Sequence, residues 1–299
     1  MAVATALLLA ALAAAGCGLG PGADVGGVEL TVTREFGTVP VLERSLEADE
    51  SSTVMRVLEG SAKISTRYGG GYVQSIDGTE EAHHGGDPYD WFFYVDGVES
   101  PVGAADYALK GGERIWWDYR DWAATNHVPA VVGSWPAPFA SGYEGGVHPV
   151  VVECEGGGGA CATARAALRR EGVAVASGSP AGAIRVLVGP WSRLRSDPAA
   201  ALIEAGPAES GVFADFARSG GAEELQGLDP DGRVAVGFGA GAGLVAATRR
   251  YEGPPVWLVT GGTTAAVQAA ADLLDAPDLR DHYAVATVDG KETPLPVMP

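Results

Sequence analysis

Two stretches decide the fold of the first half of this chain: Trp91-Phe92-Phe93-Tyr94-Val95-Asp96-Gly97 and Glu113-Arg114-Ile115-Trp116-Trp117-Asp118-Tyr119. Both are rich in aromatic and β-branched residues, and the first closes on Asp-Gly, so each reads as a strand and the first as one that ends in a tight turn. Working outward, residues 28–32 alternate and read as another strand. Ser51-Ser52-Thr53 offers an N-cap to a short helix carrying Val54, Met55, Val57 and Leu58, closed by Gly60. Residues 63–68 and 72–76 flank Gly69-Gly70-Gly71 as a strand pair. One helix crossing a small mixed sheet is the economical way to bury this order of elements. On a strand, the adjacent Trp116 and Trp117 face opposite sides. One is therefore core, and the other is either covered by another element or partly exposed. An exposed aromatic edge serves as a binding platform. That makes Trp91, Tyr94, Trp116, Trp117 and Trp122 the candidate ligand-binding residues.

These residues carry a resemblance. The aromatic strand ending in Asp96-Gly97, then Tyr107, then the Gly111-Gly112 turn before a strand ending in Trp117-Asp118-Tyr119, resembles the C-terminal domain of transcobalamin. More closely, it is similar to a large bacterial family of exported modules related to that domain. Asp96 stands where Asn is common and Gly112 where Asp is frequent, and both exchanges keep turn chemistry. Over residues 26–122 the resemblance implies an α+β module, a β-grasp-like small sheet with one helix, exported and non-catalytic. It also brings in cobalamin as a cofactor to test. Nothing in the chain reads as the helical barrel that shares the vitamin in transcobalamin.

From residue 148 the pattern changes. Residues 149–152, 183–188, 233–238 and 256–260 read as strands, and residues 162–170, 198–205, 244–250 and 265–274 as helices. Three times a strand meets a glycine loop and then a helix, which predicts an α/β domain with mostly parallel strands. The loops match no phosphate cradle: Gly239-Ala240-Gly241-Ala242-Gly243 alternates strictly, and no Walker lysine follows any of them. Small residues at those points let helix and sheet pack closely. No GxSxG elbow, HExxH or CxxC is present, and His282 has no evident nucleophile partner. Residues 162–200, around Arg185-Val186-Leu187-Val188-Gly189-Pro190-Trp191, are similar to the strand of peptidoglycan-binding sporulation-related repeats. Between the halves, residues 123–147 lose periodicity, and their prolines and glycines predict a linker wrapping the surface, pinned by Trp135 and Phe139.

The start of the chain reads as an address. Residues 6–15 are an unbroken run of small apolar residues and leucine, of a length that suits a signal h-region and falls short of a bilayer. The run ends in Ala14-Ala15-Gly16-Cys17. Residues 1–16 are thus predicted to be a signal peptide and residues 17–25 a lipoprotein tether, with Cys17 lipidated and holding the protein to the membrane. A plain secretory signal is the alternative. Ala14 replaces the usual Leu, and no basic residue precedes Arg34. In an oxidising compartment Cys154 and Cys161 would close the glycine loop between them as a disulfide. The rival, a metal pair, has only His148 as a further ligand, and no metal site is expected there. Glu80, Glu81, His83, His84, Asp87 and Asp90 crowd one loop, which reads as solvated before it reads as a cation site.

Thirty-eight Asp and Glu against twenty Lys and Arg give a net charge of −18, which argues against nucleic acid as a partner. The first half is especially acidic, with nineteen acidic and eight basic side chains between residues 23 and 122. Together these readings predict an exported, lipid-anchored, non-catalytic binding protein of the cell envelope, an accessory to nutrient or corrinoid uptake. The alternatives are contact with cell-wall polymer and, last, an extracellular hydrolase.

Overall fold

The computed structural model describes residues 23–80, 82–84, 86–156 and 158–299. The signal peptide, Cys17 and most of the tether lie outside the described residues. The chain begins with two long strands, β1 (Asp24–Arg34) and β2 (Val39–Asp49), paired antiparallel. Their register shifts between Val32 and Thr33, opposite Pro40, a residue with no N–H to give to a ladder. Helix α1 (Val54–Ser61) starts where Thr53 accepts a hydrogen bond from the Arg56 N–H. It runs past Gly60 and buries Val54, Met55, Val57 and Leu58. Then come β3 (Ile64–Arg67), β4 (Tyr72–Ile76), β5 (Thr79–Glu80), β6 (Ala82–His84), β7 (Asp87–Val95), β8 (Val98–Glu99) and β9 (Arg114–Asp121).

Strands β3, β4 and β5 form a small sheet of their own, while the main sheet runs β2-β1-β9-β7-β6, with β8 on the end of β7. Only β1 and β9 are parallel there. The alternation of β9 sorts its side chains by face. Ile115, Trp117 and Tyr119 join Val28, Leu30, Val32 and α1 in one core. Trp116 points the other way, with Tyr94, into a core shared with the second half of the chain.

That second half contains β10 (Val150–Cys154), α2 (Ala160–Arg170), β11 (Ile184–Val188), α3 (Trp191–Leu194), a 3-10 turn over Ala200–Ala205 and α4 (Pro207–Ser210). They are followed by β12 (Ala214–Ser219), β13 (Ala222–Leu228), β14 (Val234–Gly239), β15 (Gly243–Arg249), β16 (Pro255–Gly261), α5 (Thr264–Asp272), α6 (Ala276–Leu279), β17 (Ala284–Val288) and β18 (Lys291–Leu295). A six-stranded sheet runs β10-β11-β16-β15-β17-β18, and β12-β13-β14 make an antiparallel sheet of three. Cys154 and Cys161 are disulfide-bonded across the start of α2, with Cα atoms 6.0 Å apart. One face of the large sheet buries Val186, Trp257 and Val259 against α2, α5 and the connector, and the other buries Leu187, Leu244 and Leu258 toward the first half.

The expected fold class, a β-grasp-like small sheet followed by an α/β domain with mostly parallel strands, is corrected here. Over the described residues the protein is mostly β, with four sheets, 41% strand and 18% helix. In the large second sheet β10, β11 and β16 pair in parallel, but the pairs β16–β15, β15–β17 and β17–β18 are antiparallel. Residues 244–250, predicted as a helix, are strand β15. Every residue of that strand is buried between β16 and β17, and a strand buried on both faces reads as a continuous small-apolar run that periodicity cannot tell from a helix. The expected helix over residues 198–205 is only the 3-10 turn. The connector is pinned by Trp135 and Phe139 as expected, but it does not run over the surface. Val128, residues 130–132, Trp135, Ala137 and Phe139 are all buried, and Trp135 and Phe139 pack on Trp257 at ring distances of 5.7 and 4.9 Å. The connector belongs to the core of the second half.

Candidate functional site

The five aromatic candidates do not meet on a surface. Trp91 and Trp117 lie in the core under α1, where Trp91 Nε1 donates to the Thr79 carbonyl and Trp117 stacks on Phe93 with ring centres 4.8 Å apart. Tyr94 and Trp116 occupy the opposite face, in contact with each other and with Tyr283, which in turn meets Phe36. The second half covers them. Trp122 alone is part-exposed, at 38%.

Beneath Tyr94 and Trp116 lies a fully buried polar network that joins the halves. Asp118 Oδ1 accepts from the Thr33 hydroxyl (2.6 Å) and the Gly37 N–H (3.1 Å), and Oδ2 accepts from the Tyr283 hydroxyl (3.0 Å). Trp116 Nε1 donates to Thr33 Oγ1 at 2.8 Å. Arg120, two residues along β9, gives Nη1 to the carbonyls of Asp121 and Thr125 and lies 3.8 Å over the Phe92 ring. Burial pushes Asp118 up to about 6, against the lowering effect of its three donors and of Arg120. Burial also pushes the Tyr94 and Tyr283 hydroxyls far above the ordinary phenol range. With no access to solvent, this cluster is a structural seam.

An open site lies at the opposite end of β9, where the strand begins. A cleft of ≈ 520 Å³ is lined by residues 27–29 of β1, residues 45–47 of β2, residues 112–114 leading into β9, and Pro136, Ala137, Ala140 and Ser141 of the connector. That volume falls in the range of small-molecule pockets. The backbone builds its floor: Gly112 N–H donates to the Gly27 carbonyl (2.6 Å) and Glu29 N–H to the Glu113 carbonyl (3.0 Å). Arg114 holds its guanidinium between the Glu29 carboxylate (3.3 Å) and the Trp135 carbonyl (2.8 Å). A second hollow of ≈ 340 Å³ shares Glu29 and Ser45 and continues to the Glu43–Arg280 ion pair.

Of two buried carboxyl groups nearby, Glu113 belongs to the cleft lining and Asp96 is bonded to the Arg114 main chain. Glu113, only 4% exposed, accepts from the Lys110 N–H through Oε1 at 2.6 Å, while its buried Oε2 has no partner. Asp96, 2% exposed, accepts from the Arg114 N–H at 3.0 Å and from the Ser141 hydroxyl. Burial, aided by the charge of Glu113, pushes Asp96 up to about 7 against those two hydrogen bonds. Nothing in the sequence motifs pointed to Glu113, Arg114, Glu29 or Ser141. The available signal was small: a carboxylate at residue 96 inside an aromatic strand pair, and a second one directly after Gly111-Gly112. Among the described residues no group of three His, Cys, Asp or Glu side chains is arranged to hold a metal ion.

Residues 51–121 match the family model described as Domain of unknown function (DUF4430). No curated protein matches the chain. A solved structure from Ruminococcus gnavus, described as a candidate metal binding protein, is similar over 32% of this chain and 97% of its own, at 14% identity and a TM-score of 0.25. Haptocorrin in complex with Cbi, a transcobalamin-like protein, is similar over 32% of this chain at 15% identity and a TM-score of 0.26. This chain covers a quarter (25%) of the haptocorrin chain. Likeness at these scores carries no argument about metal or corrinoid.

Proposed function

We propose that the chain is an exported, lipid-anchored, non-catalytic binding protein of the cell envelope, taking a small-molecule ligand in the cleft beside Glu113. The observation that carries the reading is the cleft itself: ≈ 520 Å³, open to solvent, floored by main chain and walled jointly by the first sheet and the connector. The apolar leader ending at Cys17 supports export and anchoring. The Cys154–Cys161 bond fits an oxidising compartment. The groups at the floor are tied into backbone hydrogen bonds and an ion pair, an arrangement that suits holding a ligand.

Two measurements test this. Mass spectrometry of the membrane fraction should find diacylglycerol on Cys17, and Cys17→Ala should release the protein. Export and anchoring fall if the unprocessed chain stays in the cytosol. For the cleft, a thermal-shift screen of small metabolites, cobalamin among them, is run on the wild type and on Ala140→Trp. Residue 140 is exposed on the cleft wall, so the indole fills the space and leaves the core intact. Ligands should stabilise the wild type and lose their effect in the variant. Hits that ignore Ala140→Trp, such as binding to isolated cell wall, would move the function elsewhere on the surface.

A further inference from the structure

Ala140 and Ser141 wall the cleft and belong to a short strap, residues 140–146, that follows the buried Phe139. The strap's main chain closes on itself and on the prolines before it. The Ala140 and Gly142 N–H groups donate to the Pro136 and Pro138 carbonyls (3.3 and 2.9 Å), and Tyr143 and Gly146 exchange bonds of 3.0 and 3.1 Å. Its far end is tied by Glu144, paired with Arg249 at 2.8 Å, and by Tyr143, stacked on His148 with ring centres 4.0 Å apart. Its near end rests on Asp96 through the Ser141 hydroxyl. Asp96 itself is fixed. Both Asp96 and Gly97 have positive φ, 52° and 77°, and a Cβ on Gly97 would lie 2.9 Å from the Val131 carbonyl oxygen. The Val131 N–H donates to the Gly97 carbonyl at 2.9 Å, which holds this turn against the connector.

The charges around Asp96 are mostly negative. Glu113, buried before β9, acts on it directly, and the Tyr107 hydroxyl, buried without a partner, feels Asp96, Glu113 and Glu144 together. Arg114 is engaged by Glu29 and the Trp135 carbonyl, Arg249 by Glu144, and Lys110 lies along Gly145. A charged Asp96 would thus add a second buried carboxylate without a cation of its own. We propose that residues 140–146 are a pH-sensitive strap, closed on protonated Asp96 and lifting from the cleft wall when Asp96 gives up its proton. This is control of the site proposed above and rests on that reading. A neutral acid still bonds the Ser141 hydroxyl, which serves as donor or acceptor. Closed, Asp96 keeps its proton up to about pH 7; lifted into water it titrates near 3.8. Closure is therefore strongest below about pH 4 and weakens as pH rises until about 7 is passed. His148 is the other titratable group on the strap, with a ring nitrogen 3.4 Å from the Tyr143 carbonyl.

The test is hydrogen exchange on the full chain, corrected for intrinsic rates, read at the amides of Ala140, Gly142, Tyr143 and Gly146. Their protection should fall about tenfold from about pH 6 to about pH 8, the change that a shift from 3.8 to about 7 requires. At every pH they should exchange at least about a hundredfold faster than the amides of β16 (Pro255–Gly261), because the strap opens locally. Asp96→Asn, which cannot ionise, should make the strap's protection flat, and His148→Gln should leave the wild-type dependence in place. If Asp96→Asn does not fold, Ser141→Ala should lower the strap's protection at about pH 6 to the wild-type level at about pH 8. Flat protection in the wild type, a fall that persists in Asp96→Asn or vanishes in His148→Gln, unchanged protection in Ser141→Ala, or equal protection in strap and β16 overturns the switch. Each of those leaves the cleft reading standing, which falls instead if no screening hit is sensitive to Ala140→Trp.

Discussion

Asp118 and Glu113 are two buried acids five residues apart, one within β9 and one just before it, and their surroundings differ completely. Asp118 sits where two halves of the chain close on each other, and each of its oxygens has a donor. Glu113 sits where the same halves stand apart, and one of its oxygens has none. The acid whose bonds are all made inside the protein is spent on architecture. The other acid keeps one oxygen short of a donor and shut off from solvent, outside that network. The side chain alone decides neither role.

The largest test of that contrast is Asp118→Ala. It takes away the carboxylate that the Thr33 hydroxyl, the Gly37 N–H and the Tyr283 hydroxyl donate to, beside buried Arg120, and about 3–5 kcal/mol of stability should be lost. Urea denaturation reads it as a lowered midpoint. Trp116→Ala, which opens a cavity in the same seam, should cost a similar ~3–5 kcal/mol, and the double variant should lose less than the two separate losses combined. Glu113→Gln should change stability by no more than about 1 kcal/mol. A larger loss there would make Glu113 as structural as Asp118 and dissolve the contrast.

A pH series sharpens it. Burial lifts Asp118 to about 6 and Asp96 to about 7 from the ordinary 3.8. Each group then holds its proton to higher pH in the folded chain than in the unfolded one. Their contribution to stability is therefore full below about pH 4 and falls as pH rises, by about 1.4 kcal/mol per pH unit per group, until the folded value is passed. Asp118→Asn should flatten the profile between about pH 4 and 6, and Asp96→Asn between about pH 4 and 7. Profiles that keep the wild-type slope would show that these carboxyl groups are not buried as described. The smallest effect is expected at Trp122, part-exposed and outside the three cores: Trp122→Ala should stay within about 0.5 kcal/mol.

What the sequence made legible was local. The Thr53 cap, the aromatic strands ending at Asp96-Gly97 and at Tyr119, and helix α5 after Thr263 each depend on neighbours a few residues away, and each stands in the structure. Strand β15 was not legible, because burial on both faces removes the alternation that marks a strand. The connector was misread for a related reason: proline and glycine predict irregular backbone correctly but do not say whether that backbone lies on the surface, and here Trp135 and Phe139 draw it inward. The cleft left no motif, since it is assembled from four segments between residues 27 and 141 whose proximity exists only once β1 pairs with β9. The alternation across Trp116 and Trp117 put the two rings on opposite faces but left open whether the second was covered or exposed; the second half of the chain covers it.

The place of β1 has a consequence for anyone dissecting the molecule. The family match begins at residue 51, yet the strand between β2 and β9 is Asp24–Arg34, and its neighbour Val39–Asp49 is also upstream. A fragment cut to the matched boundaries would lose the centre of its own sheet. One extended to residue 23 but stopped after Trp122 would present Phe36, Tyr94 and Trp116 bare to water, a sticky plate that clumps in place of a soluble module. Excision or grafting of this region has to carry its second half with it.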